Sequence, residues 1–261
     1  MSLKGMKYFF AASFIALLSV PCAASTNFEE LDKPPEGAYK GQLLIGGFFS
    51  LGIPTGSLID AENSFIKNST YEFTKNETTK VIWISHLSYM LGAFCEYMPI
   101  DYVGAHAKLY YSEIVQRTTF GPDYENKRKT LYRDVSFLVG PVFHATNRRP
   151  WDVSLTPLVG LSVGSYHATP IAKSLIQTYK PSSTKGNSSL LAYGADLTAS
   201  VYFSGGLFIA LTAEWVRNNV ALSKPVDQVN PQTGAQYLNG GKSGTIDSWR
   251  IIVSSGYAFL N

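Results

Sequence analysis

"YGADLTASVYFSGGLFIALTAEWVR", residues 193–217, decides the fold. Leu197, Ala199, Val201 and Phe203 alternate with polar or small neighbours before Ser204-Gly205-Gly206, and Leu207, Ile209, Leu211 and Ala213 do so after it. Period-two alternation marks a strand with one apolar face, and a short Gly-rich break between two such runs marks a hairpin. Asp196 and Glu214 stand on the other parity. With the turn centred on Gly205, they face each other across adjacent strands.

The same alternation recurs along the chain. In residues 42–54, Leu43, Ile45, Phe49, Leu51 and Ile53 share one parity. In residues 83–97, Trp83, Leu87, Tyr89, Leu91 and Tyr97 oppose His86, Ser88, Gly92 and Glu96. In residues 102–115, Val103, Ala105, Ala107, Leu109 and Tyr111 oppose Gly104, His106, Lys108 and Ser112. Residues 133–143 and 152–167 repeat the pattern, with Val135, Phe137 and Val139 in the first and Leu155, Val159, Leu161 and Val163 in the second. The last run, residues 246–261, groups Trp249, Ile251, Val253, Tyr257 and Phe259. Together with the quoted hairpin, the pattern predicts eight strands.

The connections alternate in length. Breaks near residues 98–101, 147–152 and 204–206 are short; the polar segments 55–80, 116–131, 168–189 and 218–244 are long. Short turns on one side and long loops on the other are the mark of an outer-membrane barrel, with the turns in the periplasm. In such a barrel the apolar face meets lipid, the other face lines the lumen, and closure satisfies every backbone group. The minority face here is rich in Gly, Ser and Thr with scattered charges. That composition makes a poor soluble core but suits a narrow lumen. The predicted fold is therefore all-β: an eight-stranded antiparallel up-and-down transmembrane barrel with four long extracellular loops.

Counting up from the periplasmic turns, Tyr97, Phe203, Tyr257 and Phe259 lie low on the outward parity, and Tyr89, Tyr111, Trp215 and Trp249 lie about ten residues higher. Two aromatic girdles at that separation fit the two edges of an apolar layer.

The N-terminus carries Lys4 and Lys7, an apolar run at residues 8–20, and then Pro21-Cys22-Ala23-Ala24-Ser25. This reads as a cleaved signal peptide over residues 1–24, followed by a periplasmic segment 25–40 and the barrel 41–261. Lipidation of Cys22 is disfavoured by Pro21. Cleavage leaves Cys95 alone, so no internal disulfide is expected, and Cys95 reads as a small apolar strand residue. Net charge is +3 and charged residues are 16% of the chain, without a basic run, so nucleic acid is not an expected partner.

"LTPLVGLSVGSYH" at residues 155–167, the quoted hairpin and the closing "SGYAFLN" resemble small outer-membrane barrels of Gram-negative bacteria. The resemblance is to the transmembrane domain of outer-membrane protein A and its surface-antigen relatives. It covers about residues 40–261 and rests on the Pro157-x-x-Gly160-x-x-x-Gly164 strand and on Ala213-Glu214-Trp215. It implies partners in outer-membrane lipid, lipopolysaccharide and the barrel-assembly machinery. The chain departs from the family's aromatic C-terminus, since Leu260 and Asn261 follow Phe259. No peptidoglycan-anchoring domain is expected after the barrel.

The candidate site is a lumen ionic cluster. Asp196 and Glu214 would repel unless one holds a proton or both share a cation. Arg250 falls at nearly the same height on the next strand, and Lys108 projects from the far wall. Glu96 and His106 fall lower on the second hairpin. These ions either fill and rigidify the lumen or gate a narrow water path. His86-Leu87-Ser88 invites a lipid-hydrolase reading, but both polar residues share the inward parity, so no enzyme, cofactor or metal is expected. Asn68, Asn76 and Asn187 begin glycosylation-type sequons that read as ordinary polar loops in a bacterial chain. The loops would carry a structural, adhesion, antigen or partner-binding role, with host or surface ligands as candidate partners; the rival is a narrow channel or transporter for small molecules, hydrophobic ones included. A soluble periplasmic or lipid-binding barrel is a third reading.

Overall fold

The computed structural model describes residues 38–57, 59–60, 83–120, 126–168, 184–221, 228–229, 236–237 and 243–259. The signal peptide, most of segment 25–40 and the sequons at Asn68 and Asn76 lie outside the described residues.

Eight long strands are β1 (Leu43–Thr55), β2 (Trp83–Ile100), β3 (Val103–Phe120), β4 (Asn126–His144), β5 (Trp151–Ala168), β6 (Thr184–Tyr202), β7 (Leu207–Ala221) and β8 (Ser243–Phe259). They form one closed sheet in which each strand pairs antiparallel with its chain neighbours and β8 returns to β1. A two-residue ladder, Gln228–Val229 with Gln236–Tyr237, stands apart from it.

The barrel is apolar on its outside. On β8, Trp249, Ile251 and Val253 are 59%, 55% and 56% exposed, while Arg250, Ile252 and Ser254 are 2%, 4% and 6%. Phe49, Leu51, Ile53, Phe137, Leu161, Leu197 and Leu211 repeat this exposure around the wall. Such a continuous apolar exterior around a closed sheet is stable in hydrocarbon and costly in water. The architecture is that of an outer-membrane β-barrel.

Three features depart from the sequence expectation. The strands run farther at their extracellular ends: residues 116–120 and 126–131 continue β3 and β4, 184–189 belong to β6, and 218–221 and 243–244 extend β7 and β8. Crossing the apolar layer takes only about 9–11 residues. Above it both faces are polar, so the alternation that reveals a strand stops while the hydrogen-bonded ladder continues. At the first short connection β2 also runs on to Ile100, so the chain reverses at Asp101-Tyr102, with Tyr102 in the left-handed region at φ 67.

The third departure concerns the lumen, which is far less polar than its Gly, Ser and Thr content implies. Phe48, Met90, Tyr110, Leu138, Leu158, Ala192, Val216 and Ile252 form one buried inward cluster. Ala38, Leu44, Met98, Tyr202, Phe208 and Ala258 form a second, toward the periplasmic end. A narrow barrel is a packed core, so large residues on one strand are accommodated by glycines on the next. At Gly92, for instance, an added Cβ would stand 2.5 Å from the Phe48 ring.

Local chemistry sets the register. Gly205 and Gly206 take φ 79 and φ 86, the left-handed backbone that favours glycine, and the β6–β7 register is centred on Gly205. Pro141 and Pro157 sit opposite each other where the β4–β5 ladder skips from Val139↔Val159 to Phe143↔Leu155. Neither proline has an N–H to give that ladder.

Candidate functional site: the ionic lumen

Asp196 pairs in register with Glu214, Glu214 with Arg250, and Arg250 with Gly52. Asp196, Glu214 and Arg250 thus form a ring segment across β6, β7 and β8. Lys108 reaches over from β3. Its Nζ donates to Asp196 Oδ2 at 2.7 Å and also to Glu214 Oε2. Arg250 Nη1 donates to Glu214 Oε1 at 3.0 Å. All four side chains are nearly fully buried.

Gly52 makes room for this layer. A Cβ there would stand 2.6 Å from Arg250 Cγ and 2.3 Å from the Trp249 carbonyl oxygen. The layer meets the apolar cluster through Met90 and Tyr110: Arg250 Nη1 lies 3.1 Å from Met90 Sδ, and its guanidinium sits 5.4 Å from the Tyr110 ring centroid. Two positive and two negative groups, packed into apolar surroundings, close the lumen at the height of Trp215 and Trp249.

Another buried acid, Asp134, stands apart from these pairs. The Asp134 carboxylate accepts from Ser112, from Ser136 at 2.6 Å and from Ser162 at 3.1 Å. Gly164, its register partner, leaves room for the Tyr132 side chain, whose hydroxyl would stand 2.9 Å from a Cβ at that position.

A second network lies toward the periplasm. His106 Nδ1 and Glu96 Oε2 are 3.1 Å apart, and the two residues are register partners. His144 Nε2 lies 3.0 Å from Glu96 Oε1, and its Nδ1 lies 2.6 Å from Asp152 Oδ2. The imidazolium form, with two N–H donors, can serve both carboxylates. Thr146 donates its backbone N–H to Asp152 Oδ1 at 3.0 Å and its hydroxyl at 2.9 Å, tying the β4–β5 turn to the network. The four strands β2 to β5 are stapled together. His144→Ala leaves Glu96 and Asp152 without the shared ring, but each keeps another partner. The expected loss is about 1–3 kcal/mol, read as a lower urea midpoint with an unchanged slope.

Between the two networks lies a cavity of about 50 Å³, room for a few waters. Lys108 and Asp196 line it, with Glu96, His106 and His144 on the β2–β4 side and Ser154, Thr156, Thr198, Ser200 and Thr212 on the β5–β7 side.

The site residues named from sequence are all placed. Asp196, Glu214, Arg250 and Lys108 share one layer; Glu96 and His106 are paired below it. Tyr89, Tyr111, Trp215 and Trp249 occupy the upper outward positions. The Trp215 and Trp249 rings are 6.2 Å apart between centroids. Tyr97, Phe203, Tyr257 and Phe259 occupy the lower ones, with Tyr257 and Phe259 at 5.0 Å. Cys95 faces outward and is exposed. Ser88 is fully buried.

The sequence pattern puts Asp134 on the inward parity without a part in the ionic cluster; it misses His144 and Asp152 in the lumen and two ion pairs on the outer wall. Arg133 Nε donates to Glu113 Oε2 at 2.8 Å, where the Tyr111 hydroxyl also donates at 2.9 Å. Arg217 grips Asp247 through Nε at 2.6 Å and Nη2 at 2.9 Å. Both pairs flank the upper girdle. Among the described residues, no group of three or more His, Cys, Asp or Glu side chains is placed to hold a metal.

No protein-family model matches the chain, and no curated protein matches it significantly. Solved structures do match. Ail, the attachment invasion locus protein of Yersinia pestis, in complex with the heparin analogue sucrose octasulfate, is 14% identical, with 84% of this chain and 99% of that one covered and a TM-score of 0.42. The outer membrane protein OprG of Pseudomonas aeruginosa is 14% identical over 87% of this chain and 100% of its own, with a TM-score of 0.38. The outer membrane protease OmpT of Escherichia coli is 9% identical over 88% and 99%, with a TM-score of 0.36.

Proposed function

We propose that this chain is an integral protein of the bacterial outer membrane whose lumen is sealed and whose activity resides in its extracellular loops, in an adhesive, antigenic or structural role. The observation that carries this reading is the closed layer of Lys108, Asp196, Glu214 and Arg250 set among Tyr110, Met90 and their apolar neighbours. An eight-stranded barrel has an interior just wide enough for side chains to fill. Here they fill it. The outward aromatic girdles, which would meet lipid and lipopolysaccharide, support the placement in that membrane.

The reading assigns no hydrolytic role to His86 or Ser88, and a phospholipase assay on refolded protein is expected to give no turnover. Liposomes carrying the refolded protein are expected not to swell in isotonic sugar; rapid swelling would overturn the sealed reading. Protease added to intact cells is expected to cut in the long connections and spare the three short turns.

One observation favours a second reading, a gate in a narrow path. Arg250 Nε and Nη2, Ser50 Oγ, Ser88 Oγ and Ser248 Oγ are buried with no protein partner, as water-contacting groups would be. Together with the cavity below, they are the groups that a water path past the ionic layer would touch. If it is a gate, Arg250→Ala raises single-channel conductance in planar bilayers; if it is a seal within a packed core, conductance stays at baseline.

A further inference from the structure

We infer that residues 38–41 form a latch across the periplasmic mouth, closing the lower cavity from below and able to open without unfolding the barrel. The path of the backbone carries this. β1 begins at Leu43, and β5 is the fourth strand from β1 in either direction around the barrel. Yet the Ala38 carbonyl accepts from Arg148 N–H at 3.4 Å, in the turn that joins β4 to β5. The segment therefore crosses the opening from one side to the other.

Its attachments are of two kinds. Beside β1 it is fixed to the first short turn: Gly41 N–H donates to Met98 O at 2.7 Å and Lys40 N–H to Asp101 Oδ1 at 2.9 Å. Across the mouth it is held by the Ala38 carbonyl and by the Arg148 guanidinium, which lies 5.0 Å from the Tyr39 ring centroid. Arg148 is exposed, so the far attachment is weakened by water. Ala38 itself is 1% exposed and packs with Met98, Tyr202 and Phe208, the apolar floor beneath the cavity.

The segment also has a hinge. Gly41 takes φ +85, and nothing lies within 4 Å of where its Cβ would be. Free space together with a backbone that glycine adopts readily lets residues 38–40 swing while β1 keeps its ladder, with release of the Lys40–Asp101 bond and of the Gln42 N–H bond to the Tyr39 carbonyl at 3.2 Å. Released this way, the floor loses Ala38, and the cavity lined by Glu96, His144 and Ser200 opens toward the periplasm.

Substituted-cysteine accessibility tests the latch. In a chain with Cys22→Ser and Cys95→Ser, Ser200→Cys places a thiol in the cavity wall, and its reaction with a small charged methanethiosulfonate is timed by mass spectrometry. Reaction is expected to be slow with the latch intact and at least about tenfold faster with Tyr39→Ala plus Arg148→Ala, a change that corresponds to about 1.4 kcal/mol. Deleting residues 25–40 should do at least as much. Heat-modifiable migration checks that each barrel is folded; should the deletion fail to fold, the exposed-site double variant decides. Equal rates with and without the latch overturn the inference. So does acceleration by Arg250→Ala but not by the latch variants, because the reagent would then enter from the other end. Conductance, which judges the sealed reading, is measured separately and does not depend on this result.

Discussion

Val253→Arg is expected to lower the stability of the barrel in phospholipid vesicles by about 2–4 kcal/mol. Val253 is 56% exposed and lies on β8 midway between Trp249 and Tyr257. On a water-soluble protein a valine so exposed could become arginine with an effect within about 0.5 kcal/mol either way. The same substitution therefore separates the two solvents by its magnitude alone. The cost arises because guanidinium at the bilayer midplane must be desolvated or must drag water and headgroups inward. It should fade with depth. Asn219→Arg, outward on β7 above Trp215, is expected to cost no more than about 1 kcal/mol, since snorkelling reaches water there. Urea unfolding followed by tryptophan emission measures both. Equal small effects at both sites would mean that water bathes the apolar wall.

That wall was the most legible part of the molecule. A strand bathed by lipid on one side must alternate, so Leu197, Val201, Leu211 and Ile251 announced both the strand and the face. The Ser204-Gly205-Gly206 turn then sufficed to align Asp196 with Glu214, because a tight turn fixes register and register fixes every pair above it. Legibility ended where the solvent contrast ended. Gln116 and Asn218 are buried in the lumen at the extracellular ends of β3 and β7, but Arg117 and Asn219 stand beside them on the outward parity, so the apolar-outside alternation no longer shows. His144 was lost by a single residue: alternation was followed to Phe143, and the inward position just beyond it carries the ring that joins Glu96 to Asp152. Glu113 breaks the apolar parity of β3. Its meaning depends on Arg133, which becomes its neighbour only once the β3–β4 register is known. The inward aromatic and aliphatic residues were obscured for another reason. One strand's pattern cannot show that Phe48 fills the space left by Gly92 on the next.

The same separation of buried from exposed groups ranks the ion pairs. Glu214→Ala is expected to be the most damaging of the lumen substitutions, at about 3–5 kcal/mol. Glu214 is the carboxylate shared by Lys108 and Arg250. Without it Lys108 retains Asp196, but no carboxylate among the described residues is left in ion-pair contact with Arg250, which stays 2% exposed. The stranded guanidinium, rather than the lost attraction, dominates the cost. Glu214→Ala combined with Arg250→Met should therefore recover a substantial part of the stability, since it removes the stranded charge and supplies an apolar side chain beside Met90 and Tyr110. The outer pair offers the contrast. Arg217 is 37% exposed at its side chain where it holds Asp247, so Asp247→Ala should cost less than about 1 kcal/mol despite the two-point geometry. Additive losses in the Glu214–Arg250 cycle would show that the two side chains act independently. The four charges would then not act as one coupled layer, and the lumen would be closed by packing alone.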